Sequence, residues 1–104
     1  MSSTLTPVDA RARLRELGPQ VRDALVLTRR GRVLAGPDEL ALAAKDLLRA
    51  TRAPALEVAT EKGQVFAARS QRHAVIILTR RGALAAPVLF GVRRVLDALE
   101  AAQG

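Results

Sequence analysis

The chain has 104 residues and a net charge of +7, with 17 basic residues against 10 acidic ones. A chain of this length forms one domain and buries about 65% of the surface that it exposes when unfolded, which allows a modest core. No cysteine is present, which excludes disulfides, thiolate metal sites and cysteine nucleophiles and fits the reducing cytoplasm where we expect the protein to act. No apolar run approaches the roughly 18 residues of a membrane span, and the first residues lack the basic and apolar segments of a secretory signal.

The first predicted element is a helix that follows a short segment, residues 1–5, expected to be flexible. Thr6 is suited to cap this helix, Pro7 to occupy its first position, and Asp9 to complete a pairing like that of a capping box. Apolar residues then recur at helical spacing and form one stripe, Ala10, Leu14, Leu17 and Val21. Gly18-Pro19 is expected to end the helix.

A hairpin and a second helix are predicted next. Ala24–Leu27 is apolar without alternation, which is typical of a strand covered on both faces, and Arg29-Arg30-Gly31 reverses the chain into a short strand, Val33–Ala35. The second helix is expected to open at Gly36–Glu39 and to be closed by Pro54. Its predicted buried face consists of Leu40, Ala43, Ala44, Leu47, Leu48 and Thr51.

Leu42 lies on the other side of this helix, about 200° from Leu40 on a helical wheel. Its neighbours on that face are polar: Lys45, Asp46 and Arg49. A large apolar side chain there is either one of the singly exposed residues that are common on protein surfaces or a contact residue. Leu42 is therefore a candidate interface residue.

Three strands in succession are predicted after the second helix. The third strand of the chain, Ala55–Thr60, alternates in the way that is typical of a half-buried strand. Its side chains divide into Leu56 and Val58 on one face and Glu57 and Ala59 on the other. Gly63 allows a turn into a returning strand, Gln64–Ser70. Ala74–Leu78 is apolar on both faces and is expected to be central in the sheet.

The last element is predicted to be a helix that starts at Ala86-Pro87. Its core stripe is Val88, Gly91, Val92, Val95, Leu96 and Leu99, and its outward residues are Arg93, Arg94, Asp97 and Glu100. Phe90 falls outside the stripe, so it either contacts a partner or packs against the first helix. The whole order, α-β-β-α-β-β-β-α over residues 1–104, predicts an α+β domain with a five-stranded antiparallel sheet and helices on both of its faces.

Three features carry a resemblance to a known family: this order of elements, the RRG turn between Leu27 and Val33, and the strand-to-helix run from Ile76 to Leu99. In these features the chain resembles the roadblock / dynein light-chain family, especially its short prokaryotic members. Where those members often carry an asparagine-leucine-glycine-like opening to the last helix, this chain has Leu84-Ala85-Ala86-Pro87. The resemblance implies a profilin-like fold and a homodimer in which the third strands of two protomers pair into one sheet beside their second helices. It also implies a platform for Ras-like small GTPases.

The residues themselves support pairing through the third strand. This segment is bounded by Pro54 and Gly63 and lacks the inward charges and bulges that protect an exposed sheet edge from other chains. The predicted dimer interface is therefore Leu42, Leu56, Glu57, Val58, Ala59 and Thr60. Whether the second protomer is identical or a paralogue is left open.

No catalytic motif is present in the sequence. His73 is the only histidine, and we interpret it as an ordinary residue at the start of a strand. Glu57 and Glu61 are four residues apart across a strand and a turn, so they are not expected to form an acid–base pair. We predict a protein that is not an enzyme and that holds no metal or cofactor.

The paired arginines Arg29-Arg30 and Arg80-Arg81 are candidate partner contacts, for phosphates or for an acidic protein surface, or else solvated turn residues. If the first and fifth strands are antiparallel neighbours, the two pairs lie at opposite ends of the sheet. Fifteen of the basic residues are arginines in an Ala- and Leu-rich background, which indicates codon bias as much as a binding surface. The favoured hypothesis is a small-GTPase adaptor, and the alternative is a basic dimeric protein that binds nucleic acid through its phosphates.

Overall fold

The computed structural model describes residues 5–50 and 52–103. Within these residues the chain forms three α-helices and five strands. In chain order they are α1 (Pro7–Arg15), β1 (Val21–Thr28), β2 (Val33–Ala35), α2 (Ala41–Ala50), β3 (Ala55–Thr60), β4 (Gly63–Arg69), β5 (His73–Thr79) and α3 (Ala85–Gln103). A 3₁₀ turn, Asp38–Leu40, leads directly into α2. The predicted order of elements is confirmed.

All five strands belong to one sheet in the order β2-β1-β5-β4-β3, and each neighbouring pair is antiparallel. The α+β class and the antiparallel sheet are therefore confirmed. The central position of β5 explains why both of its faces are apolar, since residues from His73 to Ile77 are buried. β3 lies at one edge of the sheet and pairs with β4 alone among the described residues.

The helices divide between the two faces of the sheet. One face packs against α1 and α3, and its core contains Leu14, Val26, Phe66, Ile77 and Leu96. The other face packs against α2, and its core contains Leu25, Leu27, Ala67, Ile76 and Leu48. Alternate residues of β4 enter the two cores, as expected for a strand inside a two-faced sheet.

Polar contacts fix the helices to the sheet. The Thr6 hydroxyl accepts a hydrogen bond from the Asp9 amide (3.1 Å), which confirms the predicted cap of α1. Arg11 joins α1 to β1, because its guanidinium donates to the Asp23 carboxylate (2.7 Å) and to the Ala24 carbonyl (2.9 Å). Partial burial acts to raise the pKa of Asp23, but the Arg11 and Ala24 hydrogen bonds outweigh it, so this pKa is lowered.

Several boundaries differ from the sequence-based expectation. Val21, placed on the stripe of the first helix, is the first residue of β1, because the helix ends before Gly18-Pro19. Ala43 was predicted to be buried but is exposed. It lines the open cleft between α2 and the sheet, where the helix does not pack directly on the strands. Leu5 is buried in the core, whereas the remainder of the segment expected to be flexible lies outside the described residues. The prediction for Thr51 also lies outside them.

Candidate interaction surface

The β3 edge is the first part of the candidate surface. Pro54 accepts a hydrogen bond from the Arg69 amide (2.9 Å), and the register Ala55↔Ala68 continues from this pair without a bulge. Hydrogen-bonded pairs alternate along an antiparallel ladder. It follows that Leu56, Val58 and Thr60 direct their backbone groups toward β4. The amide and carbonyl groups of Ala55, Glu57 and Ala59 therefore point away from the sheet.

The side chains of β3 divide as the alternation predicts. Leu56 packs against the α2-side core, and Val58 follows it on the same face with 37% of its surface exposed. Glu57 lies on the other face and pairs with Phe66 in the register, and its carboxylate accepts a hydrogen bond from the side-chain amide (Nε2) of Gln64. The edge therefore presents a regular backbone with an apolar side chain, and no charge points into the α2-side core.

An apolar cleft lies between α2 and the sheet. It has a volume of about 210 Å³. Its lining is entirely apolar: Leu25, Leu40, Ala43, Ala44, Leu47, Val58, Val65, Ile76 and Leu78. Because Val58 belongs to the edge strand, the cleft extends to the β3 edge. Leu42 lies on the polar face of α2 with 72% of its surface exposed. In the part of the chain that the structure describes, no other element packs over Leu42, Val58 or the cleft.

The two arginine pairs lie at opposite ends of the sheet, as the antiparallel β1–β5 pairing predicts. The β1–β5 register joins Thr28 to His73 at one end and Val21 to Thr79 at the other. Arg29-Arg30 follow β1 at the first end, and Arg80-Arg81 follow β5 at the second. The expected separation is confirmed, so the two pairs do not form one patch.

Phe90 is exposed on α3, with 67% of its surface accessible and the Arg94 guanidinium 5.9 Å from the centre of its ring. It borders a groove of about 460 Å³ that α3 forms with Arg13 and Leu17. This groove lies on the α1–α3 face of the molecule, and Leu42 lies on the α2 side. The structure therefore does not bring these two candidate contacts together.

His73 and Glu100 form a polar cluster that the sequence did not predict. Glu100, expected to point outward, accepts hydrogen bonds from the Ser70 hydroxyl, the Arg72 amide (2.9 Å) and the His73 Nδ1 (3.1 Å). Partial burial acts to raise the pKa of Glu100, but the hydrogen bonds from Ser70, Arg72 and His73 outweigh it and lower the pKa to about 2. The cluster fastens α3 to the β4–β5 turn. All three donors bind the Glu100 carboxylate, so we assign this cluster a structural role.

Within residues 5–50 and 52–103, no group of three or more His, Asp or Glu side chains is placed to hold a metal ion. In the same part of the chain, every helix is too short or too polar to cross a membrane. What the surface offers is a backbone edge, apolar side chains and arginines. These groups are suited to binding another macromolecule.

No family model and no curated protein matches this sequence. Solved structures do match. A roadblock/LC7 domain from Streptomyces avermitilis aligns with a TM-score of 0.75 at 15% identity, over 95% of this chain and 97% of that one. The chain has a roadblock fold. Gliding protein MglB from Thermus thermophilus aligns with a TM-score of 0.65 at 16% identity, over 99% and 96% of the two chains. An MglB with a tetrameric arrangement aligns with a TM-score of 0.71 at 18% identity, over 99% and 96%.

Proposed function

We propose that this protein is a non-enzymatic, homodimeric adaptor that binds or regulates a Ras-like small GTPase. The observation that carries the proposal is the uncovered β3 edge of a roadblock fold. A regular edge strand without inward charges or a bulge is a template for pairing with another chain. A second copy of the same strand satisfies the outward groups of Ala55, Glu57 and Ala59.

The energetics require more than strand pairing. Each ladder hydrogen bond contributes only about 0.5–1.5 kcal/mol net. A stable interface also needs area, because such interfaces bury about 1,200–2,000 Å² in total. Two paired edge strands supply only part of that area, so the α2 helices have to contribute. Leu42, Val58 and the apolar cleft beside them provide the additional surface. In this dimer the two five-stranded sheets join through β3 into one, with the α2 helices of both protomers on the same side.

The small-GTPase role rests on the family resemblance of the sequence and is consistent with the fold. Dimerisation through β3 and α2 leaves the α1–α3 face and both ends of the sheet available. The candidate partner contacts remain exposed there: Phe90, Arg29, Arg30, Arg80 and Arg81. Exposed arginines and aromatic side chains are both enriched on surfaces that bind proteins.

Nucleotide-dependent capture tests this proposal. Immobilised protein is incubated with lysate of the organism that encodes it, preloaded either with GDP or with a non-hydrolysable GTP analogue, and bound proteins are identified by mass spectrometry. We expect one Ras-like GTPase to be retained, with a clear preference for one nucleotide state. Retention of no GTPase in either state would contradict the proposal.

The charge of +7 supports a second candidate, a basic dimer that binds nucleic acid through phosphate contacts. The two functions differ in their response to salt. A nucleic-acid-binding protein retains DNA at moderate salt, and its affinity falls steeply as salt rises. A GTPase adaptor shows only weak DNA retention. Fluorescence anisotropy with a labelled duplex across a salt series separates the two.

A further inference from the structure

A small basic pocket lies between the β1–β2 turn and the C-terminal half of α2. It has a volume of about 110 Å³ and is lined by Arg29, Arg30, Gly31, Lys45, Leu48 and Arg49. Four of these six residues are cations and none is acidic. Two separate elements, a turn and a helix, bring the cations together, so their proximity is a consequence of the tertiary fold.

The turn that forms this basic pocket is closely fixed. Gly31 has a φ of +97° and donates its amide to the Thr28 carbonyl (2.9 Å). A Cβ atom at Gly31 would lie 2.9 Å from the Lys45 Cγ, so the glycine allows the lysine stem to pack against the backbone. The Arg29 amide donates to the Arg72 carbonyl (3.0 Å) and ties the turn to the neighbouring loop. The pocket therefore has a preorganised backbone.

The cations of the basic pocket have no counter-ions in the part of the chain that the structure describes. The side chains of Arg30, Lys45 and Arg49 make no hydrogen bond or ion pair there, and the Arg29 side chain makes only a long contact with the Ser70 carbonyl (3.4 Å). Asp46 is adjacent to Lys45 in sequence but does not line the pocket. By contrast, Arg11 pairs with Asp23. The C-terminal end of a helix favours a cation such as Arg49, but this effect does not account for the two arginines of the turn.

We propose that the basic pocket binds the phosphate group of a free phosphorylated compound or of a lipid headgroup. Arginine guanidinium groups match the oxygens of a phosphate with paired hydrogen bonds. A volume of about 110 Å³ holds roughly three to four water molecules, which is comparable to one tetrahedral oxyanion and smaller than a nucleotide base with its sugar. The site joins the β1–β2 turn, at the sheet edge opposite β3, to the C-terminal half of α2. A phosphate group there needs no GTPase, so the proposal does not depend on the proposed function.

The test is a titration of the protein with inorganic phosphate, followed by the amide resonances of Gly31 and Lys45 at physiological ionic strength. The site variant is the double substitution Arg30→Ala, Arg49→Ala. The matched control is Arg80→Ala, Arg81→Ala, which removes the same charge at the other end of the sheet. We expect phosphate to shift the two resonances, and the site variant to lose about tenfold or more in affinity while the control changes by less than about twofold.

Vesicles identify the source of the phosphate group. Phosphatidylcholine vesicles that contain a phosphoinositide are compared with phosphatidylserine-containing vesicles of equal charge. If the source is a lipid headgroup, the phosphoinositide vesicles bind more tightly and the site variant removes the preference. If it is a free compound, the vesicles do not differ and inorganic phosphate still shifts Gly31. Equal losses in the two double variants, or binding that follows vesicle charge without any phosphate-induced shift at Gly31, would overturn the proposal.

Discussion

Replacing Glu100 with glutamine tests how α3 is held to the β4–β5 turn. The substitution keeps the shape of the side chain and removes the charge that accepts hydrogen bonds from Ser70, Arg72 and His73. The folded state holds the pKa of Glu100 at about 2 instead of 4.5, so the ionised carboxylate stabilises the fold by at most about 3 kcal/mol. The carboxylate side chain is 22% exposed and solvent screens part of this interaction, so we expect Glu100→Gln to lower the free energy of unfolding by about 1–2 kcal/mol at neutral pH.

The pH dependence gives this prediction its sign. Because the folded state holds the pKa of Glu100 below its ordinary value of 4.5, the carboxylate contributes its full stabilisation above pH 4.5 and loses it as the pH falls toward about 2. The difference between wild type and Glu100→Gln in urea unfolding is therefore largest at neutral pH and shrinks in acid. Asp97→Asn, an exposed position on the same helix, is the control. Equal losses for the two variants, or a difference that does not change with pH, would refute the reasoning.

Two further substitutions test other parts of the account. Leu42→Glu is expected to leave protomer stability within about 0.5 kcal/mol, because the side chain is 72% exposed, and to weaken self-association in sedimentation velocity; an unchanged dimer would remove Leu42 from the interface. Gly63→Ala is expected to lower the melting temperature markedly, because its Cβ would lie 2.0 Å from the Thr79 carbonyl oxygen, whereas Gly18→Ala, with no atom within 4 Å, is the control. Equal melting temperatures for these two variants would show that the backbone at residue 63 adapts.

The fold could be predicted because each element carries a distinct pattern. The uniformly apolar segment Ala74–Leu78 and the alternating segment Ala55–Thr60 indicated a central strand and a half-buried strand, and the structure places them at the centre and at the edge of the sheet. The helix positions followed from capping residues such as Thr6 and from the apolar stripe of α3. These signals are local, so the sequence alone contains them.

The features that the sequence did not reveal depend on contacts between distant residues. Glu100 lies on the polar side of a helical pattern, and only the packing of α3 beside the β4–β5 turn brings it to His73. The basic pocket likewise joins Arg30 to Arg49 through tertiary structure. Ala43 was misplaced because periodicity identifies the apolar face of a helix but not how much of that face the sheet covers. The dimer interface stays a prediction, since it depends on a second chain.

The central claim is that β3 pairs with β3 of a second copy, and Ala59→Pro tests it most directly. Ala59 directs its amide away from β4, so proline there removes a donor from the intermolecular ladder and none from the β3–β4 ladder. Ala59→Val keeps the amide and is the control. By sedimentation equilibrium, we expect wild type and Ala59→Val to have twice the protomer mass of 11.1 kDa and Ala59→Pro to be a folded monomer by circular dichroism. A monomeric wild type, or a dimer that Ala59→Pro leaves intact, would contradict the account.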